Sequence, residues 1–538
     1  MSRLCRLPAV PLLILSAALT AATLIWPVLA PLEWVSMVPM GVILLREAAG
    51  GRSRRRGLRL WGYGLCYFVP FFCAAYHWFA ELYPLEFTGM QPREAAVVVV
   101  LACVGLGLLH GALFALAFPL CGLIFRSPLC RRWPWLRLPL GAAVWCIFEW
   151  AQTTVWIGVP WARLALGQIK WLPVIQTASI GGSYLVTFLL VLVNLCLAEA
   201  LLAPPVAERR VMAALLAFGI NFAVGSGLYL WDEAAARERG TVVAAAVQGN
   251  ISSQEKWDSS MLTGTMTTYA GLTQEAAAEG AELVIWPETT IPYTLRRYVP
   301  MIAYLEALAD DTGAALLVGA FSEDDAGSYN TMHTVAPGSG LLPGGYSKRH
   351  LVPFGEYLPL ADFIERFIPP LADLRMLTAD IDPGRSAAVR DLGGVRVGSL
   401  ICFDSIYESA ARDAVRSGAN LLAVSTNDSW FGDSAAVWQH NGQAILRAVE
   451  TRRSVVRAAN TGVSSIITPR GNVTASLDPL IEGQITAEVE LCDVLTPYAR
   501  LGNWIVWLAI AGCAAAVGSY LCRRPKKLPK PVDNRATA

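Results

Sequence analysis

Charge is scarce in this sequence. Only 16% of its 538 residues are Asp, Glu, Lys or Arg, 54% are hydrophobic, and mean hydropathy is +0.45. A single soluble globule is not built from so apolar a composition, and membrane spans are the ordinary explanation. The formal net charge is +1, so no polyanionic partner is implied and nucleic acid is not an expected ligand. Lysine is scarcer still, occurring only at positions 170, 256, 348, 526, 527 and 530. Zinc-type spacing is missing: no CxxC pair or Cys/His cluster occurs. Most of the twelve cysteines lie in apolar runs (Cys66, Cys73, Cys103, Cys121, Cys146, Cys196, Cys513), where a thiol acts as a small hydrophobe. A disulfide framework is therefore not expected. There is no internal repeat, and no low-complexity tract beyond a basic tail.

Long apolar runs are plentiful. Crossing a bilayer takes about 17–25 residues, and such runs fall near 8–26, 31–45, 60–82, 94–124, 137–157, 172–202, 211–231 and 502–522. The first is not read as a signal peptide, because no A-x-A site leads into a soluble mature chain and further spans come after it. Basic residues mark alternate loops: Arg3 and Arg6; Arg46, Arg52, Arg54, Arg55, Arg56 and Arg59; Arg126, Arg131, Arg132 and Arg137; Arg209 and Arg210; Arg523, Arg524, Lys526, Lys527 and Lys530. The other loops hold only Arg93, Arg163 and Lys170. Short cytoplasmic loops retain positive charge. Eight spans with both termini cytoplasmic satisfy this at every turn. The division is then 1–231 with seven spans, 232–500 outside, and 501–538 with the last span and the tail. Within the spans, Glu149, His77, Glu81 and His110 are ionisable, and Glu149 is expected to pair inside the bundle.

Segment 232–500 changes character. Short β-rich runs end at polar clusters: Val242–Val247 before Gln248-Gly249-Asn250, Leu283–Trp286 before Pro287-Glu288, Leu316–Gly319, Val395–Ile401 before Cys402, and Leu421–Val424 before Asn427-Asp428. Helical periodicity lies between them at 265–279, 302–312, 407–417 and 438–451. Alternating strands and helices predict an α/β sheet packed by helices, and strand ends carry the chemistry in such folds.

Three of those strand-end and loop residues can carry chemistry. A carboxylate at the end of an apolar strand, Glu288, is only partly solvated, and its proton affinity can rise enough for general-base work. Lys348 is one of two lysines in segment 232–500, a compact cation suited to a developing oxyanion. Cys402 ends an apolar strand before an expected helix, where backbone N–H groups and the helix end favour thiolate. Each alone has a bland reading: a surface acid, a solvated charge, a buried inert thiol.

Their order and approximate spacing resemble those of the nitrilase, or carbon-nitrogen hydrolase, superfamily. Ile285-Trp286-Pro287-Glu288-Thr289 resembles its acid motif, Tyr346-Ser347-Lys348 through Leu351-Val352-Pro353-Phe354-Gly355-Glu356-Tyr357 its lysine motif, and Ile401-Cys402 its nucleophile motif. The whole chain, over roughly 8–520, resembles the apolipoprotein N-acyltransferase branch. That further likeness rests on Gln248-Gly249-Asn250, Lys256-Trp257, Thr426 through Asp433, Trp438-Gln439-His440, Phe148-Glu149-Trp150, Gly158-Val159-Pro160-Trp161, Gln168 and Gly181-Gly182. One departure is Phe403-Asp404 where the family usually has Tyr-Glu.

The resemblance implies eight spans with a periplasmic nitrilase-like αββα domain, in the inner membrane. It implies acyl transfer from a membrane phospholipid through a thioester on Cys402 to the N-terminal amine of the diacylglyceryl-cysteine of an apolipoprotein, with no metal and no cofactor. Glu288 would be the base, Lys348 the oxyanion partner, Glu356 and Asp404 supporting residues, and Trp257, Phe403, Asn427 and Trp430 substrate contacts. The greasy stretch 358–377 reads either as an arm on the membrane or as a core helix. A membrane-tethered amidase or nitrilase acting on small C–N substrates shares the triad and is the alternative, but leaves the seven preceding spans unexplained. A transporter or scaffold with a dead exterior domain leaves the intact triad unexplained.

Overall fold

A computed structural model describes residues 8–50, 55–85, 91–154, 158–252, 256–258, 260–367 and 380–522. Arg3, Arg6, Arg52, Arg54, the end of the fifth apolar run, residues 368–377 of the greasy stretch and the basic tail lie outside them.

The first part of the chain is helical. Six helical stretches among the described residues are long and apolar enough to cross a membrane: Pro27–Ala49, Arg56–Ala75, Pro92–Ile124, Ser183–Leu202, Pro204–Ala236 and Trp504–Leu521. Ala9–Ile25 is apolar with 17 residues, and Arg137–Ala151 has 15. Three expected runs change. The 31–45 run lengthens to Pro27–Ala49, because a 3-10 turn at Pro27–Leu29 extends the helical path. The 94–124 run is broken by a π-helical turn at Leu101–Gly105. The 172–202 run begins its long helix only at Ser183, since Leu172–Ile175 and Ala178–Gly181 are short turns.

Glu149 is paired as expected. It accepts from Trp145 Nε1 (3.2 Å), Leu164 N (3.0 Å) and the Thr187 hydroxyl (2.8 Å). Buried Glu33, unforeseen in the sequence, accepts from Gln168 Nε2 at 2.6 Å.

Residues 241–490 build two sheets. The first takes β1 (Thr241–Gln248), β2 (Leu283–Ile285), β3 (Ile291–Thr294), β4 (Ala315–Asp324), β5 (Gly327–Ala336), β6 (Gly340–Leu341) and β7 (Tyr346–Ser347). The second takes β8 (Val389–Leu392), β9 (Val395–Ile401), β10 (Leu421–Thr426), β11 (Ser454–Ala459), β12 (Ser464–Ile467) and β13 (Val473–Leu477), in the order β13-β12-β11-β10-β9-β8. The last strand, β14 (Gly483–Glu490), returns to pair antiparallel with β1. β1, β2 and β4 run parallel, as do β9, β10 and β11.

Strand alternation sorts the apolar side chains into layers. Ala244 and Ala246 face the space between the sheets with Ile285, Leu317, Val397, Leu421 and Ala423. Ala245 and Val247 face outward onto the helices Leu262–Ala278 and Val299–Thr312. Leu422 and Val424 face the helices Glu408–Arg416 and Ala435–Thr451. The result is an αββα sandwich.

Its second helical layer is not free. Leu422, Ala444 and Ala448 belong to one continuous apolar cluster with Leu164, Leu166 and Ile169 and, beyond them, the membrane-type helices. A Cβ on Gly442 would stand 2.7 Å from Ile169 Cδ1, so the helix passes close to that side chain. Polar groups stitch the same seam: Arg163 Nη2 to Glu408 Oε2 at 2.7 Å, Tyr184 hydroxyl to Glu408 Oε1 at 2.6 Å, Ser183 N to Glu450 Oε1 at 2.9 Å, and Trp161 Nε1 to Gln439 Oε1 at 2.6 Å.

Candidate active site

Strand ends and the loops after them converge on one cavity of about 460 Å³. Glu288 leaves β2 in a turn packed hard against β4. A Cβ on Gly319 would meet the Pro287 carbonyl at 2.4 Å. The carboxylate is buried and fully engaged. Its Oε1 accepts from Lys348 Nζ and from Asn330 Nδ2, each at 2.8 Å, and its Oε2 accepts from Asn427 N at 3.0 Å. Lys348 comes directly after β7 and also meets Glu356 Oε2 at 2.8 Å. Glu356 in turn accepts from Asn330 Nδ2 (3.1 Å) and Val352 N (2.9 Å). One ammonium and one amide therefore bridge two carboxylates.

Burial works against the Lys348 ammonium, but Glu288 and Glu356 more than offset it and hold its pKa well above the ordinary lysine value. Burial raises Glu356, with Lys348 pulling the other way.

Cys402 follows β9 directly with φ +48°, a left-handed backbone that costs a non-glycine residue about 1–3 kcal/mol and persists only where the surroundings over-determine it. The chain then makes one 3-10 turn, Cys402–Ile406, and the α-helix starts only at Glu408. The expectation of an α-helix end facing the thiol is corrected: the polypeptide spends five residues on the turn first. Burial pushes the thiol pKa up and Glu288 adds to it, while Lys348 pulls down. The residue is 8% exposed and lines the cavity.

Asp404 does not reach the Lys348 cluster by hydrogen bond. It accepts from Tyr346 hydroxyl (2.8 Å), His350 N (2.9 Å), His350 Nδ1 (2.8 Å), Arg349 N (3.2 Å) and Ile401 N (3.3 Å). Burial opposes its charge, but His350 holds the carboxylate below its usual range. Its work is to tie the loop bearing Lys348 to the turn bearing Cys402. The shorter arm relative to glutamate suits that task.

Trp257, Phe403, Asn427 and Trp430 all line the cavity. Asn427 also accepts from Asn460 Nδ2 at 3.0 Å. Trp257 is 41% exposed, with its ring 6.2 Å from Phe321. Of the greasy stretch, Leu358 and Ile364 point inward, whereas Leu360 and Phe363 are 60% and 52% exposed, Phe363 on the helix Ala361–Phe367.

The opposite wall comes from the helical part. Trp78, Phe79, Leu82, Val98, Leu101 and Leu106 line the cavity with their neighbours. Polar groups are gathered at the Cys402 end, and the rest of the wall is hydrocarbon or aromatic.

Several engaged residues escaped sequence reasoning. Lys256 stands out in the sequence only as a rare lysine and part of a motif. It donates to the Glu288 carbonyl at 2.8 Å, and burial lowers its pKa to about 8. Asn330 lies in a strand with no apolar alternation to announce it. Asp428 and His440 sit beneath the thiol. One ring nitrogen of His440, the Cys402 sulfur and an Asp428 oxygen lie within 4.8 Å of one another, the only Cys/His/Asp/Glu set so close among the described residues. This is not a metal cradle: Arg457, fully buried, bonds Asp428 Oδ2 at 2.7 Å and its cation would oppose a second one.

Two family models match the chain in succession: the apolipoprotein N-acyltransferase N-terminal domain over 16–196 and carbon-nitrogen hydrolase over 243–495. The apolipoprotein N-acyltransferase of Geobacter metallireducens is 30% identical over 532 residues, which is 95% of this chain and 95% of that one. The one from Gloeobacter violaceus is 30% identical over 499 residues, 92% of this chain and 90% of that one. Among solved structures, a nitrilase-superfamily amidase from Nesterenkonia AN1 overlaps 50% of this chain and 97% of its own, with TM-score 0.39 and 20% identity. Full-length identity to N-acyltransferases and the two successive domain matches agree, and the chain belongs to the apolipoprotein N-acyltransferase family.

Proposed function

We propose that the acyl chain is taken from a membrane phospholipid and passed through a thioester on Cys402 to the amine of a diacylated apolipoprotein. Glu288 accepts the thiol proton. The thiolate attacks the ester carbonyl, Lys348 meets the oxyanion, and on collapse Glu288 returns the proton to the departing alkoxide, so that lysophospholipid leaves and Glu288 is a carboxylate again. The amine then attacks the thioester, and Glu288 takes its proton. Glu356 orients Lys348, Asn330 and the Asn427 N–H orient Glu288, and Trp257, Phe403 and Trp430 contact the lipid. Residues 1–231 and 501–538 hold eight spans in the inner membrane with both termini cytoplasmic, and 232–500 is periplasmic.

The observation that carries this reading is the cavity. Its inner end holds Cys402, Lys348 and Glu288, and its outer wall is built from stretches 78–85 and 98–109 of the apolar helical part. A lipid ester can then reach the thiol while its chain stays in an apolar medium. Extracting a chain into water would cost about 0.8 kcal/mol per CH₂.

The test is covalent capture. Phospholipid labelled in its acyl chain should leave a hydroxylamine-sensitive label on the Cys402 peptide, released by an apolipoprotein amine. A label lost by hydrolysis alone, with no transfer to the amine, favours the amidase alternative. Orientation is tested by reporters active only in the periplasm, which should work after residue 240 or 490 and fail after 56, 132 or 530.

A further inference from the structure

The buried group under Cys402 has no role in the scheme above, yet it is built around the nucleophile. The Cys402 carbonyl accepts from the Ser405 hydroxyl at 2.7 Å. His440 Nε2 lies 3.0 Å from that hydroxyl oxygen and 3.2 Å from the same carbonyl. His440 Nδ1 lies 2.9 Å from Asp428 Oδ1, and Asp428 also takes Thr426 Oγ1 (3.0 Å) and Arg457 Nη2 (2.7 Å). Ser405, Asp428, His440 and Arg457 are all essentially inaccessible.

Proton accounting decides the state of the ring. A carboxylate only accepts, so Nδ1 carries a proton toward Asp428. The Ser405 hydroxyl has one proton, and at 2.7 Å it goes to the Cys402 carbonyl. Nε2 then faces two acceptors, the Ser405 oxygen and the Cys402 carbonyl, and satisfies them only by carrying a proton as well. A neutral ring would have to draw the Ser405 proton away and leave that carbonyl only the backbone N–H of its own 3-10 turn.

The surrounding charges point the same way. On the cavity side of the thiol stand two carboxylates, Glu288 and Glu356, against the Lys348 ammonium and a Lys256 ammonium weakened by burial. That side does not supply net positive charge to a thiolate. On the other side Arg457 already balances Asp428, so a protonated His440 leaves one net cation there. Arg447, on the same helix, meets the Ser405 and Ile406 carbonyls and Glu450; it is neutralised within that set.

We infer that His440 is a positioning residue for the nucleophile. As an imidazolium paired with Asp428 it clamps the carbonyl of the strained Cys402 turn and supplies the cation that sustains the thiolate. The inference rests on Cys402 being the nucleophile.

The test reads the thiol directly. The full-length protein is alkylated with iodoacetamide across pH, and the Cys402 peptide is quantified by mass spectrometry. His440→Gln keeps a donor and loses the charge. Its alkylation midpoint should rise by at least about one pH unit, a tenfold loss of thiolate at a fixed pH below the midpoint. Ser405→Ala keeps the charge and should keep the wild-type midpoint, since Nε2–H still serves the carbonyl. Were the ring neutral, losing the hydroxyl would strand its Nε2 lone pair against a carbonyl, and the midpoint would move. A wild-type midpoint in His440→Gln, or a shifted one in Ser405→Ala, overturns the inference; the Ser405 variant decides alone if His440→Gln does not fold. Alkylation needs no acyl donor, so failure here is separate from failure of acyl capture on Cys402.

Discussion

Replacing Lys348 by Met should do more than delete an oxyanion donor, because the ammonium also keeps two buried carboxylates apart in charge. Both Glu288 and Glu356 touch it at 2.8 Å. That geometry limits the separation of the touching oxygens to about 5.5 Å, where two like charges repel by roughly 3 kcal/mol at an effective dielectric near 20. Without the cation, that repulsion favours one proton entering the pair. Asn330, bridging both acids at 2.8 and 3.1 Å, holds them close enough to share it. The base is then partly neutralised. Losing the donor costs about 10²–10³, and the trapped proton should deepen that loss as pH falls. Two effects belong to the trapped proton alone. Thioester formation in Lys348→Met should climb as pH rises and the shared proton leaves. Adding Glu356→Gln should speed Lys348→Met by about tenfold or more, because a lone Glu288 ionises more readily. The assay is single-turnover formation of acyl-Cys402, quenched and read by mass spectrometry. A double variant no faster than Lys348→Met, with a flat pH profile in the single variant, would refute proton sharing between the two acids.

Cys402→Ala should fold and form no acyl-enzyme, and Cys402→Ser should be nearly as inactive, since a carboxylate is a weak base for a hydroxyl; near-wild-type turnover of the Ser variant in a purified assay would contradict this. Glu408→Ala should cost about 3–5 kcal/mol by stranding buried Arg163, read as a fall in Tm of the detergent-solubilised protein, and a loss near zero would show the pair idle. Burial disfavours the Glu408 charge, but Arg163 and Arg447 more than offset this and lower its pKa to about 2 from 4.5. A depressed carboxylate gives stability that is present above its unfolded pKa and lost as pH falls through the folded one. The wild-type Tm should therefore drop between about pH 4.5 and 2, with a shallower drop in Glu408→Gln. Gly105→Leu fills open cavity space where a Cβ on glycine would meet nothing within 4 Å; it should reduce transfer of long chains over short ones by at least about tenfold, and equal loss at all lengths in a donor series would contradict a chain-holding role.

Glu288 and Cys402 could be singled out because each follows a short apolar strand, Lys348 because lysine is rare in 232–500, and the three together because order along the chain survives folding. Glu356 was legible for the same reason, eight residues from Lys348. Asn330 was not, since β5 carries polar side chains toward the site and so lacks the alternation by which strands are recognised. The partners of Asp404 were not legible: most come from 346–350, and the packing of the first sheet against the second brings that loop to the turn. His440 lies on a helix whose period predicts burial but not what it is buried against. In the helical part, hydropathy located the runs but not their interruptions. The π-helical turn at Leu101–Gly105 lies on the cavity wall. The split after Leu172 lies where Gln176 donates to the Arg470 carbonyl at 2.9 Å. The second has a partner far along the chain, which the apolarity of a run does not encode.

The seam between the two halves has a consequence for how the chain is assembled. The layer containing Ala435–Thr451 finds its cover on Leu164, Leu166 and Ile169, not in water, and Arg163 brings the counter-ion for Glu408 from the same side. The sheets can pair as soon as their strands are made, but this layer has no finished outer surface until the earlier helices are in place. A fragment cut at the joint would carry a bare greasy face and an orphaned acid, and should aggregate. The expected order of biogenesis is insertion of the helices before closing of the sandwich, so that defects in insertion should surface as misfolding of the catalytic half.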